Sequence, residues 1–176
     1  MSPEPHFQSP MLVLGGAKSG KSEYAEALFD LLVPPWIYIA TSQVFDDEMR
    51  ERVKRHRERR TGNWETLECP FELPDALRDL AGGDRPVLVD CITLWLSNLL
   101  CFPSADPESA VDKLCEAVRT ADYPLVIVSN EVGSGIVPEN ALARKFRDLA
   151  GWTNQRLAGV CSSVTVVMAG LPLRLK

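Results

Sequence analysis

The stretch Gly15-Gly16-Ala17-Lys18-Ser19-Gly20-Lys21-Ser22 constrains this chain most. It fits the phosphate-binding pattern G-x-x-x-x-G-K-[ST], and its surroundings fit as well. An apolar run, Met11-Leu12-Val13-Leu14, leads in as a buried strand, and a helical pattern from Ser22 to Phe29 leads out. Glycine is required where backbone turns tightly and approaches a ligand closely. Such a turn aims successive N–H groups at a phosphate chain, at the positive end of a helix. Lys21 is expected to reach the β- and γ-phosphates of a nucleotide, and the Ser22 hydroxyl to sit on Mg²⁺. The motif points to a nucleotide without naming the reaction.

Other stretches extend this into an α/β chain with a mostly parallel sheet. Trp36-Ile37-Tyr38-Ile39-Ala40 reads as a strand ending at Thr41-Ser42-Gln43, where open α/β sheets bind ligands. A plain loop or helix cap fits Thr41 and Ser42 equally well. Asp46 to Arg60 reads as a helix with acids at its start and bases at its end, which suits the helix dipole. Arg52, His56 and Arg60 share a face by their spacing. Arginines disfavour the cationic form of His56, and a neutral imidazole is a nucleophile. An ordinary surface histidine is the competing reading. Trp64 to Glu68 reads as a short strand, with Glu68 either a solvent carboxylate or a ligand group. Asp75 to Ala81 is a helix candidate stopped by Gly82-Gly83. Val87-Leu88-Val89-Asp90 has the form of a strand whose terminal acid holds Mg²⁺ opposite the phosphate loop.

Helices are expected over Ile92 to Leu100, Pro107 to Thr120 and Asn140 to about Gly159. Strands are expected over Leu125 to Asn130 and Val164 to Met168, with a small edge strand or tail over Leu171 to Leu175. The glycines of Glu131 to Asn140 suggest a shaped, ligand-facing loop. With 176 residues the chain suits one domain over residues 11–176, after a flexible tail over residues 1–10. A net charge of −5 argues against nucleic acid or an anionic membrane as a partner held by bulk charge. The most apolar stretch, Val87 to Phe102, is broken by Asp90, Thr93, Ser97 and Asn98, which argues against a membrane span. Five cysteines without C-x-x-C spacing read as free thiols of a cytoplasmic protein.

Several stretches together resemble one family. They are the phosphate loop, Tyr38-Ile39-Ala40-Thr41-Ser42, Asp46-Asp47-Glu48-Met49, the loop Asn130 to Asn140, and Phe146-Arg147-Asp148-Leu149-Ala150-Gly151. The chain resembles the bifunctional adenosylcobinamide kinase / adenosylcobinamide-phosphate guanylyltransferase of cobalamin biosynthesis from about Met11 to Lys176. The loop Asn130 to Asn140 is the most specific element, since it is no general feature of phosphate loops. The resemblance implies a RecA-like P-loop sheet and a homotrimer. It implies phosphorylation of adenosylcobinamide by ATP or GTP with Mg²⁺. It also implies GMP transfer from GTP to adenosylcobinamide phosphate through a guanylylated histidine, which falls on His56. Many members carry a second histidine where this chain has Arg55. The implied GTP contacts are Gly15, Gly16, Ala17, Lys18, Ser19, Gly20, Lys21, Ser22, Ala40, Thr41, Ser42, Arg57, Glu58, Arg59, Arg60, Glu68 and Asp90. A P-loop kinase for another small alcohol and a nucleotide-binding switch are the rival readings.

Overall fold

The computed structural model describes residues 8–43, 62–102 and 104–176. The expected helix over Asp46 to Arg60 lies outside them, as does His56.

The strands are β1 (Met11–Gly15), β2 (Trp36–Ala40), β3 (Trp64–Glu68), β4 (Val87–Asp90), β5 (Leu125–Asn130), β6 (Ser163–Met168) and β7 (Leu171–Arg174). They form one seven-stranded sheet in the order β3-β2-β4-β5-β1-β6-β7. All pairs are parallel except β6 with β7. The helices are α1 (Lys21–Ala27), α2 (Leu73–Asp79), α3 (Ile92–Cys101), α4 (Pro107–Thr120) and α5 (Ala141–Val160), with a 3-10 turn over Leu28–Leu31.

Parallel strands joined by helices bury both faces, so their residues run apolar without alternation. Here Leu12, Ile37, Ile39, Val87, Val89, Leu125 and Ile127 pack under α2 to α5. Their sequence neighbours Met11, Val13, Tyr38, Leu88, Val126 and Val128 pack on the opposite face under α1 and the 3-10 turn. An aromatic group of Phe29, Trp36 and Trp64 closes that second face, with ring centroids 4.7–6.0 Å apart.

Local chemistry moves several boundaries from their expected places. α2 starts at Leu73 because Pro74, in the first turn, is pre-set for helix and needs no hydrogen-bond partner there. α5 starts one residue after Asn140, whose side-chain oxygen accepts from the N–H groups of Leu142 and Ala143 at 2.8 and 3.1 Å. α1 tightens into its 3-10 turn from Leu28. Gln8 to Pro10, expected in a flexible tail, are bonded into the body. Ser9 Oγ accepts from Leu125 N at 2.9 Å, and Gln8 O accepts from Ser163 Oγ at 2.7 Å.

Candidate active site

Parallel alignment brings every strand's carboxyl end to one edge, and the described candidate residues gather there. Ala40 pairs in register with Glu68 on one side and Asp90 on the other. Gly15 pairs with Asn130. β5 lies between β4 and β1, so Asp90 and the phosphate loop stand on strands two apart.

The loop from Gly15 to Ser22 is shaped by backbone that side chains resist. Gly20 caps α1 with φ 94°, and Lys18 sits at φ 55°. A side chain at Gly15 would meet Ser19 Oγ at 2.4 Å and the Val167 carbonyl at 2.7 Å, so only glycine lets the loop close here. The turn between β6 and β7 braces it, with Gly170 N donating to Ser19 O at 2.8 Å. Ser19 Oγ is buried with no partner among the described residues. Lys21 is 5% exposed, and its ammonium donates to Gly16 O at 3.3 Å. A buried cation set against a neutral carbonyl calls for an anion. An orphaned hydroxyl and a buried ammonium, on a loop held tight against β6, together fit a phosphate chain.

Asp90 is half-buried at the end of β4 and accepts from the Tyr38 hydroxyl at 3.2 Å. Next to it, burial pushes the Cys91 thiol up, and the Asp90 charge adds to that. A hydrogen bond with Thr93, the Leu94 backbone and the Lys21 ammonium oppose it. Cys91 thus lies within electrostatic reach of both Asp90 and Lys21. Thr41 is fully buried, and its hydroxyl is bonded to Cys91 both ways, donating to the carbonyl at 2.7 Å and accepting from the N–H at 2.9 Å. It therefore ties β2 to β4. Ser42 is half-buried beside it, and Glu68 is exposed. Arg57, Glu58, Arg59 and Arg60 lie outside the described residues with His56.

Sequence reasoning passed over a set of buried amides that lock this edge. Asn98, on α3, donates to the carbonyls of Thr41 and Pro70 at 2.8 and 2.9 Å. Asn130 donates to Thr93 Oγ1, while its own carbonyl accepts from Asn154 at 3.1 Å. Asn154 in turn accepts from Ser129 Oγ at 2.7 Å. The usable signal was a polar residue interrupting an apolar run, as at Asn98, or closing one, as at Asn130.

A sequence profile described as cobinamide kinase / cobinamide phosphate guanyltransferase matches residues 11–175. The chain belongs to that family. The bifunctional adenosylcobalamin biosynthesis protein CobP of Pseudomonas aeruginosa is 45% identical, over 94% of this chain and 96% of its own length. The corresponding protein CobU of Salmonella typhimurium is 42% identical, over 94% of this chain and 99% of its own. That of Escherichia coli is 38% identical over the same shares. Fold likeness reaches further than sequence. A prototypical ATPase of a bacterial type III secretion system matches at a TM-score of 0.53 with 10% identity, over 89% of this chain and 50% of its own. A protein of Pyrococcus horikoshii matches at 0.53 with 10% identity, over 94% of this chain and 85% of its own. Within the cobinamide kinase family, then, this chain has the mostly parallel sheet and phosphate loop of P-loop NTPases. Among the described residues no helix is long and apolar enough to cross a membrane.

Proposed function

We propose that this chain phosphorylates the aminopropanol hydroxyl of adenosylcobinamide with ATP or GTP, and then transfers GMP from GTP onto that phosphate. The observation carrying the reading is the family match across residues 11–175, together with a buried Lys21 in an intact phosphate loop.

Phosphoryl transfer asks the protein for positioning and charge stabilisation rather than covalent chemistry. Lys21 neutralises charge at the transferring phosphates, and the loop's backbone holds them. Mg²⁺ fits a site with one carboxylate, one hydroxyl and nucleotide oxygens, which is the coordination it commonly takes. Ser22 and Asp90 would hold it, and when bound it neutralises charge across the β- and γ-phosphates. The Tyr38 hydroxyl, donating to Asp90 Oδ2 at 3.2 Å, restricts how that carboxylate can turn.

For the second reaction we assign the nucleophile to His56. In-line attack on the α-phosphorus of GTP displaces pyrophosphate and forms a phosphoramidate. The acceptor's phosphate then takes GMP and frees the imidazole, so one difficult displacement becomes two easier ones. Arg57, Arg59 and Arg60 supply cationic partners for the phosphates, and Glu58, Glu68, Ala40, Thr41 and Ser42 complete the nucleotide contacts. The protein is read as a cytoplasmic homotrimer.

The test is incubation with GTP labelled at the α-phosphate, then a denaturing gel. Acid-labile, base-stable label on the protein supports the reading, as does conversion of adenosylcobinamide to its phosphate with γ-labelled ATP. A protein that hydrolyses nucleotide slowly without doing either would refute it.

A further inference from the structure

A scattered exposed apolar side chain needs no explanation. Two groups are not scattered: Met168, Leu171, Leu173 and Leu175, from the end of β6 to just past β7, and those that follow β5. Ile136 is 97% exposed, Val137 59% and Leu142 52%, within one short run of chain. Beside them a cavity of about 430 Å³ opens between α3 and the start of α5, lined by Leu100, Leu142 and Phe146, with Ser97 and Asn140 as its polar members. An apolar shelf joined to a cavity marks a place where something binds.

The position of this shelf narrows what that is. Glu131 N donates to Gly15 O at 3.0 Å, so the loop is stitched to the first residue of the phosphate loop. The next carbonyl, that of Gly16, receives the Lys21 ammonium, the group that meets the β- and γ-phosphates. The shelf therefore begins at the end of the nucleotide where a phosphoryl group leaves. Glu131 itself is exposed, and Gly133 N donates to its Oε1 at 2.6 Å. A side chain at Gly133 would stand 2.9 Å from that oxygen, so the glycine makes room for the carboxylate. Arg144 shapes the far side by donating to the carbonyls of Pro138 and Glu139 at 2.9 and 2.6 Å.

We propose that the loop Glu131 to Asn140, with the groove between α3 and α5, binds the corrinoid acceptor, and that Glu131 accepts the proton of its hydroxyl. This deepens the kinase reading above and rests on it. A cobinamide has a broad macrocycle with apolar faces, neutral amides at its rim and net positive charge at its metal. The segment from Glu131 to Ala143 offers two carboxylates, Glu131 and Glu139, toward that chemistry, while the guanidinium of Arg144 is taken up by the carbonyls of Pro138 and Glu139. The cavity is too small for a corrin ring and takes a rim amide, hydrogen-bonded by Ser97 and Asn140, while the ring face rests on Ile136 and Val137. Ile136 lies five residues from Glu131, at most about 17 Å along extended chain. The acceptor's hydroxyl stands on a flexible arm at the ring edge, and ring and arm together span that gap. In the step itself the hydroxyl oxygen bonds to the γ-phosphorus and the bond from phosphorus to the β-phosphate oxygen breaks. The hydroxyl proton passes to the Glu131 carboxylate, and the nucleoside diphosphate leaves.

Two variants test this in the full-length protein, with adenosylcobinamide and ATP as substrates. Ile136→Ser combined with Leu142→Ser alters only exposed side chains and is expected to raise KM for adenosylcobinamide about tenfold. Glu131→Gln keeps an oxygen for Gly133 N and is expected to lower kcat about a hundredfold with KM little changed. Affinity for a fluorescent ATP analogue should match wild type in both variants. The proposal is overturned if the double variant keeps the wild-type KM, or if Glu131→Gln keeps the wild-type kcat. It is also overturned if the KM rise tracks loss of an oligomer in light scattering, since a second copy would then cover the shelf. Failure of the kinase reading itself looks different: wild-type protein would neither phosphorylate adenosylcobinamide nor bind it in equilibrium dialysis.

Discussion

Asn98 is where the sheet edge depends most on one side chain. It is 7% exposed, and its amide satisfies two carbonyls from different strand ends, Thr41 and Pro70. Asn98→Ala removes two hydrogen bonds, each worth about 1 kcal/mol net, and strands the Thr41 carbonyl in a dry place at about 1–3 kcal/mol. The Pro70 bond is only partly buried, so water replaces much of that loss. The expected total is about 3 kcal/mol. For a chain of 176 residues that is a fall in Tm of roughly 6–12 °C. Urea unfolding followed by far-UV circular dichroism measures it, with Arg119→Ala as the control. Arg119 pairs with Glu116 in an exposed i,i+3 ion pair, and its loss should change stability by no more than about 0.5 kcal/mol. A second readout is the KM for nucleotide, which should rise because Thr41 and Ser42 lose their anchor. A loss of stability below about 1 kcal/mol in Asn98→Ala would refute the account of this edge.

Lys21→Ala should abolish both transfer activities, as measured with γ- and α-labelled nucleotide, while the circular dichroism spectrum stays native. Asp90→Asn should cut the kinase rate and shift its Mg²⁺ titration to higher concentration, and Tyr38→Phe should shift it the same way by a smaller amount; titrations overlaying wild type would remove Asp90 from the metal site. His56→Asn should eliminate GMP label on the protein and leave adenosylcobinamide phosphorylation running, so a persistent label would place the nucleophile elsewhere. Burial pushes the Cys161 thiol up to about 12 from its ordinary 9.0. The folded state therefore holds its proton more tightly than the unfolded chain, and the stability this adds is complete below pH 9 and lost as pH rises toward 12. Urea midpoints should accordingly be lower at pH 10.5 than at pH 8.

The phosphate loop and the central strands were legible because their signals are local. Apolar runs such as Val87 to Val89 and Leu125 to Val128 announce strands covered on both faces, and the glycines of 15–20 announce a turn that few other folds need. Helix ends were less legible, since Pro74 acts through its fixed backbone in the first turn and Asn140 by capping, neither through periodicity. The strand order was beyond local reading altogether. Nothing in Leu125 to Asn130 says that it lies between Met11 to Gly15 and Val87 to Asp90, because non-local packing decides that. The lock formed by Asn98, Asn130 and Asn154 was hidden for the same reason: each amide's partners lie more than twenty residues away.

That inserted strand sets a gauge. Adjacent strands run about 4.8 Å apart, so β5 holds the carboxyl ends of β1 and β4 roughly 10 Å from each other. The two groups proposed to hold a nucleotide, Lys21 with Ser22 on one side and Asp90 on the other, thus stand on strands that do not pair with each other. Their separation is the thickness of a strand whose valines, Val126 and Val128, are fully buried in the core. On the proposed reading, the alignment of those groups is inherited from core packing, kept by residues with no chemistry of their own.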